Sequence, residues 1–191
     1  MTEAEIIQGC RKGSSRHQKL LYDQYAGLVM HLCVRYTSNY EDAQDLFQEV
    51  FVKIFVHIKT FQEGNSFAGW VRRICVNTFL NKNKAQLTQK RGGVELELSE
   101  DLPYEVIEVD FPDIPAEVLY QFIQELPIGY RTVFNMYEVE GYSHDEIADI
   151  LGCSTNNSRS QLHRAKGLLK EKISEFLKQE KISVDLQQRK G

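Results

Sequence analysis

No proline occurs before Pro103, and proline is the residue a helix interior tolerates least. Across that stretch the apolar side chains fall at three- and four-residue steps, the spacing that lines one face of an α-helix. Leu20, Leu21, Tyr25, Leu28, Leu32 and Tyr36 make one stripe. Ala43, Leu46, Phe47, Val50, Ile54 and Ile58 make a second, and Phe67, Trp70, Val71, Ile74 and Thr78 a third. The spacing predicts a short opening helix over 3–11, helices over 15–37 and 40–59, and a fourth that starts at a capping Ser66. Gly13-Ser14-Ser15, Ser38-Asn39 and the loop Gln62-Glu63-Gly64-Asn65 separate them. Each stripe faces a shared core, which makes Trp70 a core residue.

Residues 91–116 break the pattern. They hold Gly92, Gly93, three prolines and the acid-rich run Glu95 to Asp113, without a helical period. The plain reading is a solvated linker. Beyond it helices resume: one over about 116–125 ending at Leu126-Pro127, and one over Ile128–Val139 stopped by Gly141. Ser143-His144-Asp145-Glu146 has the form of a capping box. Ile147, Ala148 and Leu151 supply the buried face of that helix, and Gly152 its turn. Ser154 caps a last long helix running to about Gln179. The expected fold is all-α: two small helical domains over 1–91 and 117–180, an acidic linker over 92–116, and a polar tail over 181–191.

The net charge of −4 is an average over unlike segments. Residues 1–92 carry thirteen basic and eight acidic side chains, residues 93–127 none and ten, and residues 154–191 nine and four. Salt screens charge beyond about 10 Å, so the local balance governs phosphate binding. The acidic total therefore does not exclude nucleic acid. No apolar run approaches the ~20 residues of a membrane span, and the acidic N-terminus lacks a signal core, so membrane insertion is not expected and the cytoplasm is the expected location. Cys10, Cys33, Cys75 and Cys153 lie in helical patterns without a CxxC pair, as small buried residues of a reducing compartment do. The five histidines show no ligand spacing. Neither metal nor cofactor is expected, and no nucleophile motif, phosphate loop or carboxylate pair suggests an enzyme.

Two short helices joined by a glycine-containing turn, the second one basic, form a helix-turn-helix pattern. Ala148 is small where the helices would cross. Thr155, Asn156, Asn157, Ser158, Arg159, Ser160 and Gln161 open the second helix with side chains able to bond base edges and phosphates. Arg164 and Lys166 follow, and His163 lies one turn beyond Arg159. Leu162, Ala165, Leu168 and Leu169 form the opposite, buried face. The plainer alternative is an amphipathic hairpin with a solvated polar face.

These residues resemble a known family. Tyr142-Ser143-His144-Asp145-Glu146-Ile147-Ala148, followed by Ser158-Arg159-Ser160-Gln161-Leu162-His163-Arg164-Ala165-Lys166, is similar to the C-terminal domain of extracytoplasmic-function (ECF) sigma factors of the sigma-70 family. Leu126-Pro127-Ile128-Gly129-Tyr130-Arg131 matches the entry to that domain. Asp42-Ala43-Gln44-Asp45-Leu46-Phe47-Gln48-Glu49-Val50-Phe51 resembles the family's core-polymerase-binding helix. Phe67-Ala68-Gly69-Trp70-Val71-Arg72-Arg73-Ile74-Cys75-Val76-Asn77 resembles its promoter-melting helix. Asn156-Asn157 stand where many members of the resembled family carry glycine and threonine, a departure that leaves the preferred upstream sequence open.

The resemblance implies a factor that binds core RNA polymerase, through its clamp coiled coil and flap, and directs promoter recognition, melting and initiation. It also implies an anti-sigma factor as partner. Asp45, Gln48, Glu49 and Val52 would face polymerase. Gly64, Asn65 and Ser66 would form a pocket for a base flipped from the melted strand. Arg72, Arg73, Asn77, Asn81 and Lys84 would track that strand, with Asn77 reading the base. Lys82, Lys90 and Arg91 add positive charge. Thr155, Asn156, Asn157, Ser158, Arg159, Gln161, His163, Arg164 and Lys166 would contact the upstream duplex element. The acidic linker would lie in the polymerase's RNA exit path as a nucleic-acid mimic. The alternative is a one-component helix-turn-helix regulator that senses a ligand with its N-terminal helices.

Overall fold

The computed structural model describes residues 1–89 and 114–188. The chain divides into two compact units, Met1–Val94 and Glu95–Gly191. Among the described residues every regular element is a helix. The acidic run Glu95–Asp113, with Lys90 and Arg91, lies outside the described residues.

In the first unit α1 spans Glu3–Arg11, α2 Ser15–Tyr36, α3 Tyr40–His57, α4 Phe67–Lys82 and α5 Lys84–Gln89, with one 3-10 turn at Ile58–Thr60 after α3. The caps are local. Thr2 and Glu5 form a capping box. Asn39 accepts from the Asp42 N–H at 2.8 Å, and Ser66 from the Gly69 N–H at 3.2 Å; each satisfies a donor the first helical turn leaves unpaired. The core follows the three stripes with shifts in membership: α2 buries Val29, Leu32 and Tyr36, α3 Ala43, Leu46, Val50 and Ile54, and α4 Val71, Cys75 and Phe79, while the expected Leu28 and Ile74 are only half-buried. Cys33 and Cys75 are buried there with their sulfurs 4.0 Å apart. Helix α1 docks through Ile6, Ile7 and Cys10, and the Tyr25 hydroxyl of α2 donates to the Glu3 carboxylate. Asn83 ends α4: its side-chain amide donates to the Phe79 carbonyl at 2.9 Å.

In the second unit α6 spans Ala116–Glu125, α7 Ile128–Phe134, α8 His144–Leu151 and α9 Thr155–Gln188. The helix expected over Ile128–Val139 is α-helical only to Phe134; it widens into a π-turn at Asn135–Val139, where the Glu140 N–H donates to the Asn135 carbonyl. Helix α9 outruns its expected end and includes most of the segment read as a polar tail. The core gathers Ile123, Leu126, Val133, Met136, Ile147, Leu162, Ala165, Leu169 and Ile173. Within it Arg131 is only 2% exposed. Its guanidinium donates to the Gln124 carbonyl and, at 3.4 Å, to that of Leu126. It thereby satisfies carbonyls that the end of α6 leaves without a helical partner.

Arg131→Met should leave those carbonyls buried without that donor, at a cost of about 2–3 kcal/mol. The expected readout is faster amide hydrogen exchange across α6 and α7 in the full chain, with α2 to α4 unchanged.

Candidate nucleic-acid interface

In the first unit the loop before α4 is fixed at both ends. Phe61 and Phe67 are buried with ring centroids 5.0 Å apart, edge to face. Trp70 packs on both, 5.7 Å from Phe61 and 5.3 Å from Phe67. It is half-buried, so it rims the core. Between the phenylalanines, the Asn65 N–H donates to the Gln62 carbonyl at 3.4 Å. Gly64 takes φ +94, with open space where a side chain would project, a conformation that disfavours any other residue. Asn65 and Ser66 are exposed.

Along α4, Arg73, Asn77 and Asn81 are exposed at four-residue steps, which places them in one row. Arg72 and Lys82 are exposed beside it. Lys84, expected to extend the row, instead begins α5 beyond the break at Asn83. Its side chain is exposed, but its direction no longer follows from the α4 period.

On α3, Asp45 and Gln48 are exposed, and Glu49 is half-exposed and paired with Lys53 at 2.9 Å. Val52 is 62% exposed and Val56, one turn further, 66%. Sequence reasoning missed Val56. Its signal was an apolar side chain four residues past Val52, off the core stripe. Two exposed valines in succession give the acidic face an apolar ridge suited to burial against a partner.

In the second unit α8 and α9 meet across the turn Gly152-Cys153-Ser154. Gly152 lies in the left-handed region at φ 62, and the Asn157 N–H donates to the Ser154 hydroxyl at 3.1 Å. The capping box is present, with Ser143 and Glu146 answering each other. Asn156, Asn157 and Arg159 are exposed on the first turns of α9, and Thr155 and His163 are half-buried. Thr155 donates to the Asp145 carboxylate at 2.9 Å. Gln161 bonds Asn157 and crowds the face of Gly129, where an added Cβ would come within 2.9 Å of it. Arg164 donates to the Tyr130 hydroxyl at 3.2 Å. Lys166 pairs with Glu138 at 2.7 Å, which turns it toward the π-turn.

Ser158 departs from its expected role as a DNA contact. It is fully buried, and its hydroxyl lies 2.9 Å from His144 Nδ1 on α8. It faces α8 because it shares the inner side of α9 with Leu162 and Ala165, four and seven residues on. Its role is to fasten the helix pair. His144 also stacks on Tyr137, with ring centroids 4.3 Å apart. Burial holds the His144 imidazole below its ordinary pKa. Arg159 and Lys166 push the same way, and Asp145 and Glu138 oppose them.

Among the described residues no cluster of three or more His, Cys, Asp or Glu side chains is placed to hold a metal ion. No helix among them is long and apolar enough to cross a membrane.

Comparison with known proteins gives this geometry its class. Residues 21–87 match the family described as Sigma-70 region 2, and residues 116–169 the family described as Sigma-70, region 4. The first unit carries the exposed row and loop, the second the helix-turn-helix; together they define a protein of the sigma-70 type. The ECF RNA polymerase sigma-E factor of Haemophilus influenzae is 30% identical over 188 residues, covering 93% of this chain and 98% of its own length. The chain belongs to the ECF RNA polymerase sigma factors. The corresponding factor of Escherichia coli K12 is 26% identical over 93% of this chain and 97% of its own. The sigma factor RpoE of Bartonella quintana, solved in complex with the anti-sigma factor NepR, shares the fold at a TM-score of 0.52 and 18% identity, covering 82% of this chain and 96% of that one. Family membership sets aside the one-component regulator.

A histidine whose folded pKa is depressed binds fewer protons folded than unfolded. The stability it contributes is present above its unfolded value of about 6.5 and is lost as pH falls through the folded one. The second unit should therefore unfold at lower urea at about pH 5.5 than at about pH 7.5. His144→Gln should remove part of that difference. An unchanged pH dependence in the variant would exclude His144 as the source.

Proposed function

We propose that this sigma factor binds core RNA polymerase through the outward face of α3 in a domain over 1–91. The same domain captures one melted promoter strand with the 62–66 loop and α4. The domain over 117–180 reads the upstream duplex with the start of α9. The observation that carries the reading is the exposed row Arg73, Asn77 and Asn81 on α4, in the same unit as a loop anchored by buried phenylalanines. Arg73, with Arg72 and Lys82 beside it, supplies charge for phosphates, where counterion release drives binding. Asn77 and Asn81 supply paired donors and acceptors for base edges. Unstacking one base costs a few kcal/mol, roughly, which a pre-shaped loop must recover through edge and stacking contacts.

On α3 the chemistry differs. Asp45, Gln48 and Glu49 flank Val52 and Val56, so a basic partner helix would gain charge complementarity at the rim and apolar burial at the centre. Polymerase, through its clamp coiled coil, fits that description, and its flap is the proposed contact for the second domain. On the upstream element Asn156, Asn157, Arg159 and His163 are the candidate readers, and Thr155, Gln161, Arg164 and Lys166 support the helix from its flanks. A protein partner of the anti-sigma class is proposed as well, since the Bartonella factor is bound to one. The role is one of binding without catalysis, in the cytoplasm.

Asp45→Arg combined with Glu49→Arg should abolish co-purification of the full chain with core polymerase while the circular dichroism stays helical. Normal co-purification would refute the α3 assignment. Asn77→Ala should leave holoenzyme assembly intact and lower run-off transcription roughly tenfold. Equal loss of both would undo its role in strand recognition.

A further inference from the structure

We propose that α1 is a working part of the strand-capture site, with Arg11 as the residue that positions the 62–66 loop. The inference rests on the loop's reading as the base-binding element. Helix α1 precedes the residues matched to the sigma-70 families, which begin at 21. Its apolar side docks on the unit; its polar corner, Gln8 and Arg11, turns to the loop. The Arg11 guanidinium donates through Nε to the Ile58 carbonyl at 3.5 Å, through Nη2 to the Phe61 carbonyl, and through Nη1 to the Glu63 carboxylate at 2.8 Å. Gln8 donates its amide to the same carboxylate oxygen.

Three acceptors spread from residue 58 to residue 63 thus converge on one planar group, a geometry that the arginine fork provides and a lysine ammonium does not. The Arg11 side chain is only 20% exposed, which limits how far it can swing to follow a ligand. The consequence for the loop is twofold. Arg11 and Gln8 hold the Phe61 carbonyl and Glu63, the Ser66 cap and the phenylalanine rings hold the far end, and Asn65 closes back on the Gln62 carbonyl through its N–H at 3.4 Å and its side-chain amide at 3.5 Å. A loop ordered before it meets DNA spends little of its interaction energy on ordering. The Glu63 carboxylate, adjacent to Gly64, is also offset by a cation, which weakens its repulsion of an approaching phosphate.

The test is a selection. Holoenzymes made with the wild-type chain and with Arg11→Ala, Arg11→Lys, Glu63→Ala and Asn77→Ala are compared at equal concentration. Each selects from promoter DNA, taken from start sites that depend on the wild-type factor, with one strand of the melted segment randomised; the bound strands are sequenced. The wild type should show a strong base preference at one position. Arg11→Ala should flatten it roughly tenfold, with Arg11→Lys recovering only part. Glu63→Ala should also weaken the preference. A Glu63→Ala holoenzyme that binds all sequences more tightly with its preference intact would make Arg11 and Glu63 ordinary surface charges and overturn the proposal. So would an unaltered preference in Arg11→Ala when Asn77→Ala has lost it. A wild type with no such position, or an Asn77→Ala that keeps it, would instead sink the strand-capture reading beneath. Thermal unfolding of each chain checks that it is folded; if Arg11→Ala is not, Glu63→Ala and Arg11→Lys decide the matter by the same criteria.

Discussion

The last carbonyls of a helix lack their ordinary i+4 donors, and in each unit a buried or half-buried arginine donates to carbonyls at such an end. Arg131 serves Gln124 and Leu126 at the end of α6. Arg11 serves Ile58 and Phe61, where α3 has tightened into its 3-10 turn. Backbone carbonyls away from water are costly to leave short of donors, and the Ile58 carbonyl takes the Phe61 N–H as well, so these bonds favour the path the chain follows next. After Arg131's acceptors the chain must turn at Pro127 into α7, which packs on α9. After Arg11's acceptors it must enter the loop that leads to α4. The surfaces assigned to DNA stand downstream of both.

Much of this fold is local, and what is local is legible. A hydroxyl or amide three residues ahead of a free N–H announces Asn39, Ser66, Ser143 and Ser154 as helix starts. Stripes at three and four residues announce α2, α3 and α4, and Gly152 announces the turn of the helix-turn-helix. What escaped the sequence depends on partners far away. Arg11 meets Glu63 across 52 positions, and no pattern within α1 points there. Ser158 reads as one more polar residue in a polar run until His144 arrives from another helix to bond it. The helix end at Asn83 hinges on a side chain choosing the Phe79 carbonyl over solvent. The π-turn requires one hydrogen bond to slip by a residue, a change too small to leave a compositional trace.

The polar residues of α9 divide into two kinds. Ser158, Thr155, Arg164 and Lys166 reach to α8, α7 and the π-turn, so they set the attitude of the helix. Asn156 and Arg159 remain outward. A recognition element needs both kinds, because a side chain reads a base edge only if its backbone is held to a fraction of an ångström. Asn157 belongs to both kinds: it is exposed, yet its N–H bonds the Ser154 hydroxyl and its side-chain oxygen accepts from Gln161.

Helix α9 runs unbroken from Thr155 to Gln188. A rod of this kind transmits torsion. From its first turn to Phe176, which packs edge to face on Phe122 at 6.1 Å, the distance along the axis is about 30 Å at 1.5 Å per residue. Rolling Asn156 and Arg159 about that axis must roll Phe176 as well, and it must shear the Lys172–Glu125 pair. The aromatic contact and the ion pair therefore resist rotation of the helix's first turns from about 30 Å away.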